Sequence, residues 1–170
     1  SFSAPANYNG SETFTVKVSD GVLEDSQSIT VTVNVVNDAP VATTGLSGAT
    51  AEDQSIVITL SGSDIDGDVL TFSLDTDAAN GSVVIDGSLA TYTPNTNYNG
   101  DDSFSFSVSD GTLSDMASVS LTIDAVNDAP VLATVSDVFF DEDGSGLISL
   151  AADDVDGDDL TFSITGGSDI

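Results

Sequence analysis

The sequence predicts an all-β protein built from tandem β-sandwiches, each about 90 residues long. Three observations favour this class. Residues i and i+90 are identical at 33 of the 80 positions that can be compared, without a gap. Apolar and polar residues alternate along several short segments, as they do in a strand with one buried and one solvated face. Asn-Gly and Asp-Gly pairs, which are typical of hairpin turns, separate these segments.

The predicted strands follow one another in the same order in each repeat. Between their apolar positions lie mainly Thr, Ser and Asn, which fit the solvated face of a strand. About seven short strands in roughly 90 residues, with no helical stripe, favour an immunoglobulin-like Greek-key β-sandwich. The apolar positions are Phe14, Val16 and Val18; Ile29, Val31, Val33 and Val35; Ile56, Ile58 and Leu60; Leu70, Phe72 and Leu74; Phe104, Phe106 and Val108; and Val119, Leu121 and Ile123.

The composition excludes several kinds of chemistry. The 170 residues include 25 Asp and 4 Glu but no His, no Cys and only one basic residue, Lys17, for a formal net charge of −28. Without imidazoles or thiols the chain lacks the usual ligands of zinc and haem. Its charge disfavours nucleic acids and anionic membranes and favours hard cations. The 8 Phe and 39% hydrophobic residues argue against disorder.

The register of the repeat divides the chain into five segments. Residues 1–36 are predicted to be the C-terminal part of a repeat, 37–40 a linker, 41–126 a complete repeat, 127–130 a second linker, and 131–170 the N-terminal part of a following repeat. An incomplete sandwich leaves sheet faces and strand edges uncovered. Two explanations stay open: the chain is cut from a longer protein, or the two end portions pair between neighbouring copies. No signal peptide or membrane span is recognised, and a targeting segment could precede residue 1.

Acidic motifs recur at the predicted strand ends. The sequence VNDAP occurs at 36–40 and 126–130, Glu-Asp at 52–53 and 142–143, Asp-x-Asp-Gly-Asp at 64–68 and 154–158, and VSDG at 18–21 and 108–111. An EF-hand loop needs Gly at its sixth position, whereas counting from Asp64 the Gly is fourth, so that interpretation is rejected. One acidic turn alone would be solvated surface charge. Its recurrence in phase with the hinge motifs favours a metal site.

The order of these motifs resembles the cadherin repeat family, and within it the bacterial cadherin-like tandem repeats of large surface proteins and adhesins. The resemblance covers the whole chain and implies that Ca²⁺ binds between consecutive domains. Its implied ligands at the first junction are Asn37, Asp38, Asp64, Asp66 and Asp110. At the second junction they are Glu52, Asp124, Asn127, Asp128, Asp154 and Asp156, with a last ligand, matching Asp110, beyond residue 170.

Two departures from the family pattern suggest fewer ions, or weaker binding, at each junction. The Asp-Arg-Glu triplet of the family is absent, and Pro94-Asn95-Thr96-Asn97 stands in its place. The first hinge has Asn34 where the second has Asp124.

The resemblance implies a calcium-rigidified, extracellular stalk segment of a secreted bacterial surface adhesin or filament, and no enzyme. Its expected partners are adjacent repeats of the same chain, with neighbouring copies and surface polysaccharide as further candidates, and without nucleic acid or membrane insertion. The alternative is a calcium-dependent module for polysaccharide binding or homophilic adhesion. Tyr8 and Tyr98 are interpreted as packing where a strand begins, rather than as a sugar platform. A glycosidase would need two carboxylates across a cleft, whereas the recurring carboxylates lie at junctions.

Overall fold

The computed structural model describes residues 1–166 of the chain and contains strands but no helix in that range. No helix that could span a membrane occurs among those residues. The prediction of an all-β fold is therefore confirmed. The strands are β1 (Gly10–Ser19), β2 (Glu24–Val33), β3 (Val41–Ala42), β4 (Leu46–Ala51), β5 (Ile56–Thr59), β6 (Gly62–Ser63), β7 (Thr71–Thr76), β8 (Gly81–Asp86), β9 (Leu89–Pro94), β10 (Gly100–Ser109), β11 (Ser114–Asp124), β12 (Val131–Leu132) and β13 (Ala152–Asp153).

Strands β3 to β11 form one β-sandwich. One sheet has the order β4-β11-β10-β7, and the other has the order β5-β9-β8, while β3 pairs with β6. Every pairing is antiparallel except that of β4 with β11, which is parallel. Because β11 lies between β10 and the much earlier β4, the last strand returns to the start of the unit, as in a Greek key.

The core of this sandwich lies between the two sheets, on the faces that the alternation predicts. Phe104, Phe106 and Val108 on β10 point inward, while the intervening Ser residues do not. Every second residue of β11 is buried in the same way. The facing sheet contributes Ile58 and the fully buried Tyr92. Leu46, Leu70 and Tyr98 pack at the margin of this cluster, and Tyr98 also donates a hydrogen bond to the carbonyl of Asp101 (2.7 Å).

The carboxylate of Asp102 on β10 joins this strand to the segment just before β8 and to β9 of the smaller sheet. Asp102 accepts hydrogen bonds from the backbone N–H groups of Ala79 and Asn80 and from the Tyr92 hydroxyl, the last at 3.0 Å. Burial and the neighbouring Asp102 carboxylate raise the pKa of Tyr92. A side chain at Gly81 would collide with this tyrosine, since a Cβ there would overlap its ring. The position therefore requires glycine.

The end portions repeat pieces of the central sandwich. Strands β1 and β2 pair in the register of β10 and β11, with Gly10 opposite Val33 as Gly100 is opposite Ile123. Strands β12 and β13 pair as β3 and β6 do. Residues 160–164 carry the Leu-Thr-Phe-Ser sequence that leads into β7, but they form no strand, and no strand of the described residues pairs with them. Residues 167–170, the end of the predicted segment 131–170, lie outside the described residues.

Candidate metal centre

The Asp-x-Asp-Gly-Asp loop at 64–68 gathers three carboxylates at the end of β6. Asp64 Oδ1 accepts hydrogen bonds from the backbone N–H groups of Asp66 (2.8 Å), Gly67 (3.0 Å) and Asp68 (3.2 Å). Gly67 adopts a φ of 81°, which glycine reaches without strain, and the chain turns there. One oxygen from each of Asp64, Asp66 and Asp68 can be chosen so that all lie within 4.8 Å of one another. That spacing suits a single cation bound by oxygen ligands.

The first hinge packs directly onto this loop. The backbone N–H of Asp38 donates to Asp66 Oδ2 at 2.8 Å. The Asn37 side-chain amide donates to Asp110 Oδ2 at 2.7 Å and to the Asp38 carbonyl at 3.2 Å. The structure thus brings together all five residues that the resemblance implies for the first junction.

Hydrogen bonding, rather than an ion pair, holds Asp110 in its charged form. The amide of Asn37, followed by the backbone N–H groups of Leu113 and Thr112, keeps the pKa of Asp110 below its ordinary value. Asp64 differs from Asp110 because its Oδ2 atom is buried and has no hydrogen-bond partner. A buried carboxylate oxygen without a donor costs free energy, and a cation would offset that cost.

The second junction repeats this geometry between the second hinge and the loop at 154–158. The backbone N–H of Asp128 donates to Asp156 Oδ2 at 2.7 Å, and the Asn127 amide donates to the Asp128 carbonyl at 2.9 Å. Asp154 Oδ1 accepts the N–H groups of Asp156 (3.0 Å) and Asp158 (3.2 Å). Both copies of the acidic loop share these contacts, but the Gly157 N–H donates to the Asp154 carbonyl (3.3 Å), whereas the Gly67 N–H donates to the Asp64 side chain.

Glu52 adds a buried carboxylate to the second junction. Its side chain is only 4% exposed, and its Oε1 atom accepts the backbone N–H of Val126. Its own N–H donates to the Asp124 carbonyl at 2.9 Å, which fastens the start of the hinge to the end of β4. Asp124, an implied ligand, is placed here by its backbone carbonyl, while its side chain is on the exposed face of β11.

Like charges crowd Asp128. Partial burial and the negative charges of Asp156, Glu52, Asp53 and Asp154 raise the pKa of Asp128, and its Oδ2 atom is buried without a hydrogen-bond partner. The only basic side chain of the protein, Lys17, lies 3.5 Å from Glu24 in the β1–β2 hairpin and offers no charge to this junction. The donor set consists of carboxylates, carbonyls and an amide, which is the chemistry that Ca²⁺ prefers. The residues present therefore fit a calcium ion.

Sequence reasoning missed three acidic residues of these junctions. Asp68 belongs to the carboxylate cluster of the first acidic loop, and Asp158 occupies the same sequence position in the second. Asp53 has a φ of 60°, and its Oδ1 atom accepts the backbone N–H of Asn97 at 3.1 Å. The sequence feature that could have identified Asp53 is the Glu-Asp pair, which recurs at 52–53 and 142–143. The contact also brings the segment that replaces the family's Asp-Arg-Glu triplet to the second junction.

The fold and these junctions define a tandem β-sandwich protein whose units meet at acidic, oxygen-rich hinges. The family model described as "Cadherin-like domain" matches residues 36–124, and the chain belongs to that family. No curated protein matches the chain significantly.

Solved structures with the same fold include cadherin modules. The protocadherin gammaB7 EC3-6 cis-dimer matches with a TM-score of 0.54 and 20% identity over 86% of this chain and 43% of that one. Human protocadherin-24 EC1-2 matches with a TM-score of 0.48 and 17% identity over 70% and 67% of the two chains. An endo-fucoidan hydrolase of glycoside hydrolase family 107 matches with a TM-score of 0.42 and 22% identity over 72% of this chain. The chain spans only 20% of that hydrolase, so the activity of the hydrolase is not assigned to this chain.

Cadherin-like domains are extracellular, typically non-enzymatic modules that generally bind calcium. The family thus supports an adhesive or structural role.

Proposed function

We propose that this chain is a calcium-rigidified extracellular repeat of a bacterial surface adhesin or filament, with a structural stalk role. Ca²⁺ binds at the junctions between consecutive repeats. One observation carries the proposal: at both hinges a backbone N–H of the linker bonds to the acidic loop of the next unit, while a buried carboxylate oxygen there has no donor. These hydrogen bonds hold each hinge against the acidic loop that follows it. The buried oxygens without donors, Asp64 Oδ2 and Asp128 Oδ2, are available to bind a cation.

The cation acts on the hinge by cancelling repulsion. At the second junction the carboxylates of the hinge, of the Glu52-Asp53 pair and of the acidic loop at 154–158 repel one another, as the raised pKa of Asp128 indicates. A bound Ca²⁺ converts that repulsion into a shared set of ligands. Pro40 and Pro130 restrict the chain beside each hinge, so the joint has few other ways to move. The result is a stiff connection between units.

The stabilisation is modest per site. Extracellular calcium modules bind with a Kd of about 0.1–1 mM. At about 1 mM calcium and a Kd of about 0.1 mM, one site adds about 1.4 kcal/mol. That is small beside the stability of a sandwich but large for a linker of four residues with few other contacts.

A thermal melt of Asp66→Asn tests the proposal at the first junction. The amide keeps an oxygen that can accept the Asp38 N–H but removes a charged ligand. Wild-type protein should gain about 5–10 °C in Tm with calcium, given about 1.4 kcal/mol per site, and gain much less with magnesium. Asp66→Asn should lose most of this gain at the first junction, while in EGTA it should melt no lower than wild type, because repulsion has been removed.

Asp86→Asn is the matched control, because Asp86 is the exposed last residue of β8 and belongs to neither hinge nor acidic loop. Its response to calcium should equal that of wild type. An equal calcium gain in Asp66→Asn and Asp86→Asn would overturn the assignment of the site. A calcium-dependent pull-down on insoluble glycan, without stiffening in solution scattering, would favour the polysaccharide-binding alternative over a stalk.

A further inference from the structure

Strand β8 forms one edge of the smaller sheet in the complete sandwich. Among residues 1–166, β9 is the only strand that pairs with β8, and their register is regular over Gly81–Asp86. An edge strand presents backbone N–H and C=O groups to which another strand can bond, and proteins protect such edges with proline, lysine, bulges or short strands. The sequence of β8, GSVVID, contains neither proline nor lysine. Its edge therefore needs another form of protection.

The other edges of the sandwich are protected in these ordinary ways. Strand β5, at the far edge of the same sheet, has only 4 residues. Strand β7, at one edge of the larger sheet, pairs with β10 in a register that shifts between Ser105 and Phe106. Strand β4, at the other edge, has Gly48 in its interior, which weakens a strand. Strand β8 differs from all three because it is regular and rich in β-branched residues.

The pairing with β9 shows which backbone groups of β8 face outward. Opposite residues of an antiparallel pair alternate between those that exchange hydrogen bonds and those that do not. Gly81 lies opposite Pro94, which has no N–H, and the N–H of Val83 donates to a side chain outside the sheet. Gly81, Val83 and Ile85 therefore form the set of alternate residues whose backbone groups point away from β9.

The side chain that accepts the Val83 N–H belongs to Asp77, the residue that follows β7. Its Oδ1 atom accepts the N–H groups of Val83 and Ala78, each at 2.9 Å. Asp77 is exposed, so its negative charge lies at the surface beside the edge of β8. The carboxylate thus occupies the central outward donor of the strand.

A second copy of β8 fits this edge. Antiparallel pairing about a twofold axis places Val83 opposite Val83 of the second copy, with Gly81 opposite Ile85 on either side. All the outward backbone groups of both strands are then paired, and the contact is self-complementary, as twofold symmetry requires. The only charged residue of β8 is Asp86 at its end, so two acidic chains meet little repulsion along the strand itself.

We propose that the edge of β8 is a self-pairing surface of this protein and that Asp77 prevents the pairing. The carboxylate acts in two ways. It occupies the Val83 N–H that the central pair of residues needs, and it would bring two negative charges together at the twofold axis. Copies that lie side by side therefore keep their sheets separate.

Sedimentation velocity of the full chain in EGTA tests the proposal. Asp77→Ala should form dimers with an association constant at least about 10-fold above that of wild type, because the central backbone hydrogen bonds become available. Asp77→Asn keeps an oxygen for the Val83 N–H and should gain much less. Asp75→Ala is the matched control and should behave like wild type, since Asp75 is an exposed carboxylate that bonds to the hydroxyl groups of Thr76 and Ser105 rather than to β8.

Hydrogen exchange of the Val83 amide reports the contact directly. In Asp77→Ala this amide should exchange faster than in wild type at low protein concentration, and it should slow again at high concentration as the strands pair. The amides of Ser82 and Val84 face β9 and should stay protected in both proteins, which shows that β8 is still folded.

A disulfide tests the register. The chain has no cysteine, so Ser82→Cys and Val84→Cys molecules, both carrying Asp77→Ala, can be mixed and oxidised. These exposed positions lie opposite each other in the proposed pair, as a non-hydrogen-bonded pair with close Cβ atoms. A disulfide-linked heterodimer is expected. Val57→Cys in place of Val84→Cys should give much less of it, because Val57 is exposed on β5 at the far edge of the sheet.

The outcomes bear on the proposal alone. If Asp77→Ala stays monomeric while its Val83 amide exchanges faster, the edge is not a self-pairing surface. Equal association of Asp77→Ala and Asp75→Ala would overturn the role of the Asp77 hydrogen bond, since the loss of either charge would then suffice. Because every sample contains EGTA, these results are independent of the proposed calcium sites, which the thermal melts test separately.

Discussion

Val108→Ala and Val18→Ala make the same change at equivalent positions of two strands that differ in burial. Val108 is 0% exposed on the inner face of β10, and Val18 is 68% exposed on β1. Both strands are paired in the same register, with Val108 opposite Asp115 and Val18 opposite Asp25. Loss of strand preference is therefore the same in the two variants, and the difference reports burial.

The expected costs follow from the removed atoms. Truncating a buried Val to Ala removes about two methylene equivalents, about 1.6 kcal/mol of transfer free energy, and leaves a cavity that raises the cost to about 2–3 kcal/mol. The sandwich should then lose about 10–20 °C in Tm. Val18→Ala should change the free energy of unfolding by less than about 0.5 kcal/mol, because most of the side chain is in water.

Urea unfolding followed by circular dichroism measures both values. The protein is kept at low concentration in EGTA, so that neither association nor calcium contributes to the difference. Equal destabilisation in the two variants would refute the reasoning, because it would mean that β1 is packed in the monomer as β10 is. A loss below about 0.5 kcal/mol in Val108→Ala would do the same for the assigned core.

Three further changes test individual contacts. Gly81→Ala should destabilise the sandwich by about 1–3 kcal/mol in urea unfolding, because the new Cβ meets the ring of Tyr92, and no loss would contradict that close contact. Tyr92→Phe removes the hydrogen bond to Asp102 and should cost about 1.5–3 kcal/mol by the same assay, and an unchanged free energy of unfolding would contradict a stabilising role for that bond. The N–H groups of Ala42 and Met116 lower the pKa of Asp115, so this group contributes stability above the ordinary carboxyl pKa and loses it as pH falls through the depressed value. The Tm gap between wild type and Asp115→Asn should therefore be present at about pH 6 and shrink towards about pH 3, and a gap independent of pH would contradict the assignment.

The parts of the fold that alternate strictly could be predicted from the sequence. Strands β10 and β11 bury every second residue, so their faces follow from the pattern of Phe, Val and Ser alone. Strand β4 could not be predicted, because its sequence LSGATA has no alternation and its strand state depends on a parallel partner about 70 residues later. Residues 160–164 show the converse, since their strand-like sequence is not paired with any strand of the described residues and forms none. Pairing over long distances decides such segments, and local preference does not.

Residues of the candidate site could be predicted where they belong to a recurring motif. They could not be predicted where their role depends on contacts between residues far apart in the sequence. Recurrence pointed to Asp64 and Asp66, and the contact of Asp38 with Asp66 brings hinge and loop together. Asp53 was passed over because its role depends on a turn more than 40 residues away, at Asn97. Burial of Glu52 likewise depends on how the second hinge folds over the end of β4.

Isothermal titration of the chain with calcium tests the central claim most directly, that the acidic junctions bind Ca²⁺. The comparison uses wild type, the double variant Asp64→Asn with Asp66→Asn, and Asp86→Asn as the control. Wild type and Asp86→Asn should show saturable binding with a Kd of about 0.1–1 mM, and the double variant should lose the share of the binding sites that belongs to the first junction. Absence of saturable binding in wild type, or full binding in the double variant, would contradict the account and leave the repeated carboxylates as surface charge.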